Sequence, residues 1–112
     1  MDAKLCPCEF LIPVAFNDGT PIPAATMIQI LQSLDRQFGG YTRLGPRQGS
    51  WHGQEELMIA FEVSVPEKEI PRVRRVVRII GRDLKQEKMY FKVGSPNVEL
   101  LDPSDGSEGL FT

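Results

Sequence analysis

The densest group of chemically capable side chains in this sequence is Trp51-His52, set between Gly49 and Gly53 and followed by Glu55 and Glu56. Histidine titrates near neutral pH, and a nearby carboxylate can orient its ring or share its proton, which is the make-up of a general acid–base pair. The glycines would let such a segment close over a ligand, and Arg43 or Arg47 upstream would hold an anion. One reading is therefore a small enzyme of the dimeric α+β-barrel kind, with a site near a 45–53 flap, His52 as acid or base and Glu55 beside it. The plainer reading puts Trp51 over an apolar sheet edge with His52 and the glutamates in solvent, and spacing alone favours it.

Cys6-Pro7-Cys8 is the other reactive group, and with His52 as a third ligand it would suit a thiophilic metal. Structural zinc sites use four ligands with paired spacings, and no second pair follows, so no metal and no cofactor are assigned. Two reduced thiols at the edge of a strand account for the same residues, in a reducing compartment. There is no G-x-S-x-G, no G-x-G-x-x-G and no P-loop; Gly39-Gly40 and Gly45 read as backbone devices.

These residues must be positioned by elements that the hydrophobic pattern outlines. Residues 9–16 alternate as a strand with Phe10, Ile12, Val14 and Phe16 on one face, and Pro13 requires an edge or a bulge there. Pro23 to Phe38 carries a three-four apolar stripe, closed by Gly39-Gly40. Tyr41 to Leu44 reads as a short strand, Gly45 to Gly53 as a turn or flap, and Leu57 to Val65 as a long strand. Ile70, Val73, Val77, Ile80 and Leu84 mark a second helix, Met89 to Val93 a fourth strand, and Asn97 to Leu101 a short fifth. The order β-α-β-β-α-β predicts an α+β, ferredoxin-like split βαβ: an antiparallel sheet with two helices on one face, and the first and third strands central. Residues 1–8 read as a frayed extension, 9–101 as the single domain and 102–112 as a mobile acidic tail.

The motifs Asn17-Asp18-Gly19, Phe38-Gly39-Gly40-Tyr41-Thr42, Gly49-Ser50-Trp51 and Gln86-Glu87 resemble a group of small uncharacterised bacterial proteins that form a domain of unknown function. The resemblance covers about residues 10–93 and implies the same ferredoxin-like fold. It supplies no catalytic residue.

Partners follow from faces and charge. Alternation gathers Leu11, Ala15, Tyr41, Arg43, Met58, Ala60, Glu62, Ser64 and Tyr90 on the uncovered sheet face, so a binding or interaction module that self-associates there, anchored by Tyr41, Met58 and Tyr90, is the leading expectation. A protein partner or a small-molecule ligand fits the same surface. Residues 67–92 hold nine Lys or Arg against four acids, whereas the remainder holds four against eleven. Arg74, Arg75, Arg78 and Arg82 form a basic face on the second helix, but the acidic remainder and the lack of an RNA-recognition aromatic run disfavour nucleic acid. Glu9 interrupts the apolar N-terminal stretch, and no run approaches a membrane span, so a cytoplasmic protein is expected.

Overall fold

The chain is described by a computed structural model covering residues 4–106 and 109. Its elements are β1 (Cys6–Pro13), α1 (Ala24–Phe38), β2 (Thr42–Trp51), β3 (Gln54–Val65), α2 (Ile70–Asp83) and β4 (Phe91–Val93). The four strands form one antiparallel sheet in the order β2-β3-β1-β4, with two helices, so the α+β ferredoxin-like order holds and β1 and β3 are central.

The core grows from period-two alternation in β1 and β3. Cys8, Phe10 and Ile12 of β1 pair in register with Val63, Phe61 and Ile59 of β3, which places all six on one face. Against this face pack Leu34 of α1, and Val73, Val77 and Ile80 of α2 with Leu84 just beyond it. Each fully buried apolar side chain of this size contributes about 1.5–3 kcal/mol of transfer free energy. Gly39, at φ 76, ends α1 in the left-handed conformation that glycine adopts most cheaply.

Several boundaries differ from the sequence reading. The first strand begins at Cys6 and ends at Pro13, and Leu5 bridges Val98, so residues 5–8 belong to the sheet; residues 1–3 of the expected extension lie outside the described residues. Pro13 is tolerated because β4 pairs only with Cys8 to Phe10, leaving β1 with a single neighbour at Pro13. The fifth strand is only that Leu5–Val98 bridge. Of the expected tail, Pro103–Asp105 forms a 3-10 turn whose Ser104 N–H donates to Asp102 Oδ1 at 2.9 Å, while 107, 108 and 110–112 lie outside the described residues. No helix among the described residues is long and apolar enough to cross a membrane.

The largest difference is the supposed flap. Residues 45–51 are strand, and β2 and β3 make a long hairpin that turns at His52-Gly53, with φ 50 and 80. Positive φ at both central residues is the two-residue turn whose twist matches that of the flanking strands. Glycines and Pro46 concealed the strand in the sequence, but as an edge strand β2 can hold both.

Cys6 and Cys8 are core residues, 2% and 0% exposed. Burial, more than the neighbouring Cys6, pushes the Cys8 thiol above its ordinary value, with Arg74 opposing.

Phe61, 1% exposed, and Leu57, 47% exposed, share a face of β3. Phe61→Ala should cost about 3–5 kcal/mol and Leu57→Ala under about 1 kcal/mol in urea unfolding; similar losses would contradict a core that thins toward the hairpin tip. Because the raised Cys8 pKa lets the unfolded thiol ionise before the folded one, stability should fall as pH rises above the ordinary thiol value of about 8.5. Cys8→Ala should flatten that alkaline slope, and identical slopes would count against the buried thiol as its source.

Candidate functional site

The hairpin decides which side chains reach the open face of the sheet. Between Arg43 and Gly45 the β2–β3 register slips by one residue, a bulge at Leu44. Beyond it Gly45, Arg47 and Gly49 pair with Ala60, Met58 and Glu56 on the open face, whereas before it Arg43 pairs with Phe61 on the helix side. A one-residue slip exchanges the faces of every side chain past it. Tyr41 and Arg43, expected on the open face, are thereby removed from it. Tyr41 packs edge-on against Phe61, ring centroids 5.7 Å apart, and joins the rim of the core.

What remains on the open face forms a cleft of about 550 Å³. Its floor is Leu11 and Met58. One wall is the hairpin tip, with Trp51, His52, Gln54 and Glu56, and the other is the segment from Gln86 to Tyr90 that joins α2 to β4. Asn17 Nδ2 donates to the Lys85 carbonyl at 3.2 Å, tying the loop after β1 to the start of that second wall. Lys85 itself has φ 58, and Gln86 N–H donates to the Gly81 carbonyl at 2.9 Å, so the chain leaves α2 through a left-handed cap. Trp51 and Tyr90 are 43% and 49% exposed although both line the cleft. The Trp51 and His52 rings meet edge to face at 4.5 Å.

Among the expected site residues, the structure gathers Trp51, His52, Met58 and Tyr90 in one place. Glu55 is not with them: it pairs with Ser50, one residue out of phase with the cleft, so alternation sends Glu56 there instead. Glu62 is on the open face opposite Glu9 and Thr42, away from the hairpin tip. Cys6 and Cys8 pair with Val65 and Val63, nine or more residues along β3 from Gln54 at the tip, or about 30 Å at strand rise, so His52 cannot complete a ligand set with them. Their place in the core also replaces the strand-edge thiols expected from sequence. Sequence reasoning missed Asn17, Gln54, Gln86 and Lys88 as cleft residues, and it named Glu56 beside His52 but favoured Glu55; Asn17 and Gln86 belong to the turn motifs, but no local pattern ties these positions together.

The second helix divides its basic residues. Arg74, Arg78 and Arg82 line a separate groove between α2 and the 86–91 segment, and Arg75 does not. Gly81 sits under this segment, where a Cβ would lie 2.4 Å from Met89 Cγ, so only glycine allows the approach without displacement.

No protein-family model matches this chain, and no curated protein matches it. Among solved structures it is similar to a phage SAM lyase in complex with S-methyl-5'-thioadenosine, with a TM-score of 0.61, 11% identity, and coverage of 88% of this chain and 86% of that one. At 11% identity the similarity is one of fold alone.

Proposed function

We propose that this chain is a small-molecule-binding module whose site is the open-face cleft, and that its ligand is a purine nucleoside bearing an apolar thioether or sulfonium group. The observation that carries this reading is the pair of exposed aromatic side chains, Trp51 and Tyr90, lining one concave site. Large aromatics left half exposed in a cleft offer π faces to a flat base, and stacking on them is worth about 1–3 kcal/mol per base. Leu11 and Met58 supply an apolar floor for a thioether, and Gln54, Gln86 and Glu56 supply donors and acceptors for sugar hydroxyls. Glu56, Glu87 and Lys88 give the lining a net charge of −1 with His52 neutral, which suits a neutral or cationic ligand. The nucleoside thioether in the similar phage enzyme supports the choice of ligand class.

A second reading keeps the same cleft and adds turnover, with His52 or Glu56 moving a proton; their shared placement favours it. Self-association through this face, anchored by Met58 and Tyr90, would instead bury the cleft.

Calorimetric titration with S-methyl-5'-thioadenosine should show saturable binding that Trp51→Ala and Tyr90→Ala each weaken about tenfold. Absence of heat at millimolar ligand, or binding that neither variant changes, would sink the proposal. Release of S-methyl-5'-thioadenosine from S-adenosylmethionine, lost in Glu56→Gln or His52→Gln, would establish turnover, and none above a protein-free control would leave a binding module. In sedimentation the ligand-binding reading expects Met58→Asp to match the wild type; a wild-type dimer that this variant dissociates would give the face to self-association.

A further inference from the structure

We infer that the groove between α2 and β4 is a second binding site, for a small organic diphosphate: Arg74, Arg78, Arg82 and Lys88 surround an apolar floor of Val77, Met89 and Phe91. The groove measures about 580 Å³ and lies on the other side of the 86–89 segment from the open-face cleft. The two cavities share a wall and have opposite charge.

Helical spacing makes the cationic wall. Arg74, Arg78 and Arg82 recur every fourth residue, so their side chains lie in one row about 12 Å long at 1.5 Å of rise per residue. Guanidinium groups present planar forks that take phosphate oxygens two at a time, which a row of ammonium groups would not do. Among the described residues, Arg74 and Arg78 have no carboxylate partner, and Arg82 has only Asp83 at 3.9 Å, both largely exposed. A contact that loose and exposed offers little competition to a bound anion.

Charge fixes how many phosphoryl groups the site takes. Four cations against Glu87 leave the lining at +3. One phosphate monoester carries about −1.5 to −2, so two phosphoryl groups are needed to match it. A polyanion fits less well, because the residues outside 67–92 hold four Lys or Arg against eleven acids, and that net negative charge repels a polyanion beyond the first contacts.

The floor argues for an apolar body joined to the phosphoryl groups. Val77 is 3% exposed, and Met89 and Phe91 are packed against the core below it. The Arg74 guanidinium is already held over the Phe91 ring, 5.6 Å from its centroid, so it loses little freedom on binding. Gly81 completes the shape by letting Met89 come close to the helix.

Calorimetry at low salt with geranyl diphosphate, pyrophosphate and orthophosphate tests both halves of the site without offering a purine to the neighbouring cleft. Affinity should fall in that order. Arg78→Gln should weaken geranyl diphosphate binding about tenfold or more, and Arg74→Gln with Arg78→Gln should abolish it. Arg75→Gln removes the same charge from the same helix but not from the groove, and should change affinity less than about twofold. These side chains are exposed, and unchanged circular dichroism and melting temperature would confirm that the variants fold. No heat at millimolar probe, equal affinity for pyrophosphate and geranyl diphosphate, or an Arg75→Gln loss as large as that of Arg78→Gln would each overturn the inference. Displacement of geranyl diphosphate by a lower concentration of duplex DNA would overturn it in favour of nucleic acid.

Discussion

The structure depends on the antiparallel pairing of β1 with β3, an unbroken register from Cys6 opposite Val65 to Pro13 opposite Met58. Because side chains alternate strictly, this one ladder commits two runs of apolar residues to a common face, and both helices dock there. The same ladder commits the alternate residues to the other face. Leu11 and Met58, the floor of the open-face cleft, are there because Phe10 and Phe61 are in the core. Core and candidate site are thus two sides of one set of backbone hydrogen bonds, and neither can shift register without the other.

The hairpin carries this order past the region that the helices cover. Burial along the inner face of β3 declines from Phe61 toward Leu57, so the tip is held by backbone pairing more than by packing. Such a ribbon is less costly to deform than the centre of the sheet. It is also where Trp51 and His52 stand, placed over the cleft by a tight turn with positive φ at both central residues. In the proposed binding reading, the aromatic wall would be the more deformable side of the cleft, and Leu11 and Met58, set in the paired centre of the sheet, the less deformable one.

The 84–90 segment has a comparable role on the opposite side. Leaving α2 through a left-handed cap at Lys85, fastened by Asn17 and by the Gly81 carbonyl, it is fixed at its start and then runs between two cavities. One cavity is edged by aromatic rings and carboxylates, the other by a row of arginines. A short linker with backbone fixed in this way can present different side chains to each cavity, Tyr90 to one and Phe91 to the other, through the alternation that governs the strands.

The sequence by itself determined the elements whose apolar period is regular: α1 and its glycine cap, α2 and its arginines, the core face of β1 and β3, and through their order the ferredoxin-like topology. It did so because burial of a periodic face is a local property that a one-dimensional pattern records. It did not disclose β2 beyond Leu44, since two glycines and a proline leave no alternating pattern, and pairing with β3 alone makes that stretch a strand. Nor did it disclose the bulge, and with it the exchange of Tyr41 and Arg43 to the helix side, because register is set between strands and not within one. Trp51, His52, Met58 and Tyr90 were legible as candidates one at a time; that Glu56 and not Glu55 joins them, and that residues 35 or more positions apart meet across one cleft, was decided by the tertiary structure. The partition of α2 is the same kind of result. Helical phase grouped four arginines, but only the approach of the 86–91 segment, admitted by Gly81, separated three of them from Arg75 and gave them a floor.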